Sequence, residues 1–187
     1  MKKYELTDET IKLSGNRVLH RIVALRNFGN VKKGDKGGWI EKEDNLSHEG
    51  NCWVYGNAVV CGCAEVFDDA VVCDDAKVFD EAKVCGNAVV CGNAVVCGDA
   101  KVHGCAEVHG CAEVYDNAEI SSIKDYIVFK NWWSSGRYFT WTRSNNMWSV
   151  GCFYGTGEEL IEKAYADSED KGKHYEEIVE YVNRCVL

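Results

Sequence analysis

The sequence predicts a mainly β protein organised around a three-sided parallel β-helix. The prediction rests on an uninterrupted six-residue repeat, a fixed order of aliphatic and corner residues within it, and flanks with different patterns. From Val54 to Glu119 the chain reads as eleven consecutive units: VYGNAV, VCGCAE, VFDDAV, VCDDAK, VFDEAK, VCGNAV, VCGNAV, VCGDAK, VHGCAE, VHGCAE and VYDNAE. Each begins with valine, carries Gly or Asp third and alanine fifth; the fourth place holds a small polar residue, Glu81 or a cysteine. So short a unit cannot bury its apolar face alone, so units wind into a coil and coils stack.

Across each unit boundary the alanine, the next residue and the following valine form a short strand. Its first and third side chains share a face, because strands alternate with period two. Alanine and valine point inward. The Gly/Asp and Asn/Asp positions between strands tolerate left-handed backbone angles and supply the corners. Three sides per coil gives about 18 residues per rung, with rungs roughly 4.8 Å apart. Upstream, Asp44-Asn45-Leu46 and Gly50-Asn51-Cys52 keep the same phase, which places the start of the helix near Trp39.

The expected division is a β-rich N-terminal cap over residues 1–38, the parallel β-helix over 39–122, and a C-terminal domain over 123–187. A cap is expected because open sheet ends invite pairing with other chains. Its extended segments are Lys3 to Leu6, Thr10 to Leu13 and Arg17 to Leu25, with a turn at Ser14-Gly15-Asn16. After the repeat, DYIVFK, RYFTWTR and MWSVGCF, separated by turn segments, predict a three-stranded meander. Thr156 to Glu159 has the form of a capping box. It opens one apolar stripe (Leu160, Ile161, Ala164, Tyr165), and Ile178, Val179 and Val182 form another, so the chain ends in two helices.

Composition narrows the function classes. The chain has 187 residues, 46% of them hydrophobic and 27% charged, with eleven cysteines and a formal charge of -9. That balance is of a folded protein, and the length excludes a large multidomain enzyme. No apolar run reaches the roughly 20 residues of a membrane-spanning helix, and MKKYELTDET lacks the apolar stretch of a secretory signal. The expected address is the cytoplasm, with reduced thiols. The repeat holds twelve acidic and three basic side chains, whereas residues 120–150 hold four basic against one acidic. An acidic rod repels polyanions, so neither long nucleic acid nor a membrane is an expected partner.

These hexads resemble the hexapeptide-repeat, left-handed β-helix superfamily. The run GDKGGWIEKEDNLSHEGNCWVYGNA (Gly34 to Ala58), with RVLHRIVALRNFG upstream, more specifically resembles phage and prophage GNA-repeat proteins of the YdcK type. The resemblance implies a left-handed coil, a homotrimer and a phage or mobile-element setting inside a host cell. It also implies a binding protein that antagonises a host factor or a nucleotide signal of host defence. The superfamily includes acyltransferases as well.

Candidate site residues follow from chemistry. In the meander, Lys130, Trp132, Trp133, Arg137, Tyr138, Trp141, Arg143 and Trp148 combine cations with aromatics. Guanidinium beside indole stacks on bases and grips phosphates, which makes Arg137, Tyr138, Trp141, Arg143, Trp132 and Trp133 candidate contacts for a nucleotide-like ligand. The opposing reading puts these aromatics in a small core between meander and helices. Stacking also aligns Cys73, Cys91 and His109 in one column. Donors on a line at the rung spacing suit a tetrahedral ion poorly, so no metal and no cofactor is expected. Hexapeptide acyltransferases use a histidine as general base. His103 and His109 lie six residues apart, hence on different faces, and the repeat lacks the extruded loop of those enzymes, so the expectation is binding and not catalysis. The acidic rod also permits mimicry of DNA.

Overall fold

The computed structural model describes residues 2–131 and 136–186. The chain divides into two units, Met1–Asp125 and Tyr126–Leu187. In the first, the repeat forms a parallel β-solenoid of two-residue strands, from Trp53–Val54 to Glu119–Ile120. Each strand pairs in register with the one eighteen residues on, as in the series Glu65, Lys83, Lys101 and Glu119. Three faces result. Backbone amides cross from rung to rung, for example Lys83 N to Ala100 O at 2.9 Å and Cys85 N to Val102 O at 2.9 Å.

The interior follows the hexad. Every repeat alanine from Ala58 to Ala118 is 0% exposed, and the inward valines are at most 1% exposed. The corners lie in the left-handed region, with φ from 55° at Asp116 to 71° at Gly92. Asp and Gly also follow one another vertically. Asp68 Oδ2 accepts the Gly86 amide at 3.1 Å and Asp74 Oδ2 accepts the Gly92 amide at 3.0 Å, so a corner carboxylate satisfies a donor one rung away. A Cβ on Gly98 would lie 2.8 Å from Asp116 N; two successive rungs cannot both carry a side chain there without shifting.

The first coil begins at the expected place, where Trp39 pairs with Val59 and Ile40 with Val60. Cys52 takes an inward alanine place as expected. Leu46, however, pairs with Val66 twenty residues on, as Trp39 does with Val59, so the stretch through Leu46 runs two residues out of the expected phase and Leu46 fills a valine place. Upstream, Lys36–Ile40 joins one rod sheet in parallel, and Val18–Ala24 and Tyr4–Lys12 extend that sheet in antiparallel fashion. The two segments expected at Lys3 to Leu6 and Thr10 to Leu13 are one strand. A register shift between Leu6 and Thr10 interrupts its pairing, and there Thr7 Oγ1 accepts the Glu9 amide at 3.3 Å. Tyr4 packs on His48 and Trp53 and donates its hydroxyl to Leu46 O at 2.7 Å, tying this sheet to the first coil.

In the second unit, an antiparallel sheet holds Tyr126–Lys130, Tyr138–Thr142, Met147–Val150 and Phe153–Gly155 in that order. It has four strands, not the expected three. Gly151, at φ 61°, turns the MWSVGCF segment back on itself so that Val150 pairs with Phe153. Helices α1 (Gly157–Asp167) and α2 (Glu169–Val186) follow. The capping box is present: Glu159 N donates to Thr156 Oγ1 and Thr156 N to Glu159 Oε2. Among the described residues no helix is long and apolar enough to cross a membrane. All eleven cysteines are free.

Candidate active site

Strand alternation sends Lys101 and His103 outward on one face of the rod while Val102 fills the interior. On the next rung Glu119 sits opposite Lys101 and diagonally from His103, within reach across adjacent strands. His103 Nε2 lies 2.9 Å from Glu119 Oε1. A carboxylate only accepts, so the pair holds the proton on Nε2 and leaves the Nδ1 lone pair as the basic site. The imidazole is about one-third exposed, at 34% for the side chain. It is therefore open to a small reactant.

Beside the pair, Glu81, Lys83, Asp99, Lys101, Asn117 and Glu119 line a cleft of about 260 Å³. Lys83 is held by Glu65 at 3.6 Å. Cys85 stands one rung before His103 in the same column, and burial pushes its thiol above the usual range. That leaves it a packing residue and not a nucleophile.

A second concavity of about 650 Å³ lies where the N-terminal hairpin meets a different rod face. Leu13, Val59, Cys61 and Phe79 give it apolar walls, and Arg17, Lys77 and Asp80 its charge. Arg17 Nη1 reaches Cys61 Sγ at 3.6 Å and Glu41 Oε2 at 3.9 Å, so its guanidinium is held at the rim.

The meander residues are dispersed. Trp141 is 2% exposed and belongs to a core with Phe139, Trp148, Val150, Leu160, Tyr175 and Val179. Its Nε1 donates to Asn146 Oδ1 at 2.9 Å. It presents no stacking plate to a ligand, because its ring faces fill the space between sheet and helices. Arg137 and Arg143 are exposed, and half-buried Tyr138 carries Lys130 over its ring at 5.6 Å. Trp132 and Trp133 lie outside the described residues. The opposing reading, aromatics as core, describes Trp141 and Trp148.

Sequence reasoning weighed His103 only against His109 and along straight columns, so it missed Glu119. The available signal was the diagonal: a residue two places before the stacked partner shares its outward face.

No family model matches the chain. Among curated proteins it is similar to one described as an uncharacterized acetyltransferase, YdcK, from Escherichia coli (strain K12), with 40% identity over 62 residues. The match covers 29% of this chain and 19% of that protein, so the chain spans about a fifth of its relative's length. The chain is thus a β-solenoid protein with a distant, partial likeness to a protein named as an acetyltransferase.

Proposed function

We propose that this chain is a β-solenoid acyltransferase in which His103, oriented by Glu119, is the general base toward an amine or hydroxyl acceptor, and an acyl thioester is the donor. The 2.9 Å His103–Glu119 pair beside a cleft bearing Lys83 and Lys101 carries the reading. The partial likeness to YdcK supports it. Nδ1 of His103 takes the acceptor proton as the acceptor attacks the thioester carbonyl. The carbon–sulfur bond breaks with its electron pair on sulfur, and the imidazolium returns the proton to the thiolate. The lysines offer positive charge to the donor's phosphates or to the developing oxyanion. The cleft of about 260 Å³ borders Glu119 and the two lysines but not His103 and is too small for a whole nucleotide donor, so a homotrimer whose neighbouring rod completes the site over His103 is part of the proposal.

The test is release of coenzyme A thiol from acetyl-CoA against a panel of amino sugars, polyamines and lysine peptides. Thiol release should fall about 100-fold or more in His103→Ala and less in Glu119→Gln. A folded protein with no release above background, or a His103→Ala variant equal to the parent, overturns the reading.

The larger groove at the hairpin favours a second reading, binding of a nucleotide-like anion between Arg17 and Lys77 over the Phe79 floor. In a phage setting such binding would sequester a host signal. Nucleotides and cyclic dinucleotides should then raise the melting temperature of the parent protein and not of Arg17→Ala. A panel that moves neither removes this reading.

A further inference from the structure

The geometry points to a thiophilic metal site at one corner of the rod, formed by Cys73, Asp74 and Cys91 and suited to zinc or a chemically similar divalent ion. Stacking brings the two thiols together on adjacent rungs, with their sulfur atoms within 4.8 Å of each other. The Asp74 carboxylate, turned by its left-handed backbone (φ 60°), adds a donor off the line of the column. One donor atom from each of the three lies within 4.8 Å of the others. A tetrahedral ion with sulfur at about 2.3 Å places its donors roughly 3.8 Å apart. The difference is within side-chain rotation, since Cys73 and Cys91 are half-buried and Asp74 is exposed.

The objection that a column of donors is linear no longer holds, because Asp74 makes the set a triangle. His109, the next residue in the Cys73, Cys91 column, lies outside this group, and water supplies the fourth position. Two thiolates with an oxygen donor select zinc-type ions over magnesium or calcium. The placement is also specific. In the rod's second-position columns, Cys85 has Phe67 and His103 as vertical neighbours, and Cys97 has Phe79 and Tyr115. Only Cys73 and Cys91 form a vertical thiol pair in those columns. Burial holds the Cys73 thiol up at about 11, so an ion must displace its proton on binding.

The test uses the full-length protein, reduced and freed of metal with a chelator, and titrated with Co²⁺ and with Zn²⁺ against a chromophoric competitor. One equivalent of Co²⁺ should bind with sulfur-to-metal charge-transfer absorption in the near ultraviolet, and Zn²⁺ should displace it. Cys73→Ser and Cys91→Ser should each lose that absorption, Asp74→Asn should weaken Co²⁺ binding about tenfold or more, and Cys85→Ser should behave as the parent. Unchanged circular dichroism of the serine variants separates loss of the site from loss of the fold. Absence of charge-transfer absorption in the parent, or its persistence in the Cys73→Ser, Cys91→Ser double variant, overturns the proposal.

Discussion

Replacing corner glycines by alanine separates two costs that the rod imposes. Gly110, Gly98 and Gly50 have similar left-handed angles, with φ of 70°, 70° and 64°. Alanine at any of them incurs about 1–2 kcal/mol for that conformation. Their surroundings differ. A Cβ on Gly110 meets nothing within 4 Å, one on Gly98 lies 2.8 Å from Asp116 N, and one on Gly50 lies 2.0 Å from Asp68 O. The last two contacts are with the backbone of the next rung, which cannot rotate away as a side chain would. The rungs must spread, stretching backbone hydrogen bonds such as Cys97 N to Val114 O at 3.0 Å and Cys52 N to Asp68 O at 2.9 Å. Overpacking of this kind adds about 1–3 kcal/mol. Urea denaturation should therefore order the losses as Gly110→Ala about 1–2 kcal/mol, Gly98→Ala about 2–5 kcal/mol, and Gly50→Ala at least as large as Gly98→Ala. Equal losses for all three, at unchanged m-value, would refute the reasoning that vertical contact, and not φ alone, requires glycine at these corners.

Three further outcomes follow from the same structure. Trp141→Ala should destabilise the protein by about 3–5 kcal/mol as a core truncation, while Arg137→Ala leaves the melting temperature nearly unchanged; a silent Trp141→Ala would contradict its place in the core. Asp68→Ala removes the acceptor of the Gly86 amide and should cost about 1–3 kcal/mol; Asp68→Gly, which relieves the left-handed strain, should recover part of that loss. Burial pushes the Cys73 thiol up to about 11 and the Cys97 thiol up to about 12. Folding therefore favours their neutral forms: that contribution is intact below about pH 9 and is lost as pH rises through 11 to 12, because the unfolded chain releases these protons first. Melting temperature should fall over that window and fall less in Cys97→Ala, and a flat alkaline profile would contradict the assignment.

The rod was legible because one pattern repeats. Valine and alanine at fixed places predicted the filled interior from Val54 to Ala118, and Cys52 extended it upstream, whereas the two extra residues between Leu46 and Cys52 shifted Leu46 out of the predicted phase. The first-to-last phase needed no tertiary information, since each rung contacts only its neighbours. Features written once in the chain were harder to read. The irregular pairing between Leu6 and Thr10 left no break in composition, and Gly151 sat within an apolar segment that read as one strand. Of the site, the residues were visible and their combinations were not. The column rule aligns residues eighteen apart, whereas His103 and Glu119 meet sixteen apart, and Asp74 joins the thiols by turning off the line. The meander's cations and aromatics invited a ligand reading because alternation puts Arg137, Phe139, Trp141 and Arg143 on one strand face. Phe139 and Trp141 lie within Tyr138–Thr142 and fill the core against the helices, whereas Arg137 and Arg143 flank its ends and are exposed.

The central functional claim places acyl-donor chemistry at one imidazole of the five in the chain. Proton NMR of the histidine rings during an acetyl-CoA titration tests it directly, with resonances assigned by single substitutions. Saturable shifts at His103, lost in Glu119→Gln or sharply reduced there, with His20, His48 and His174 unmoved, are the predicted result. A titration to millimolar donor in which the His103 ring does not move contradicts the account.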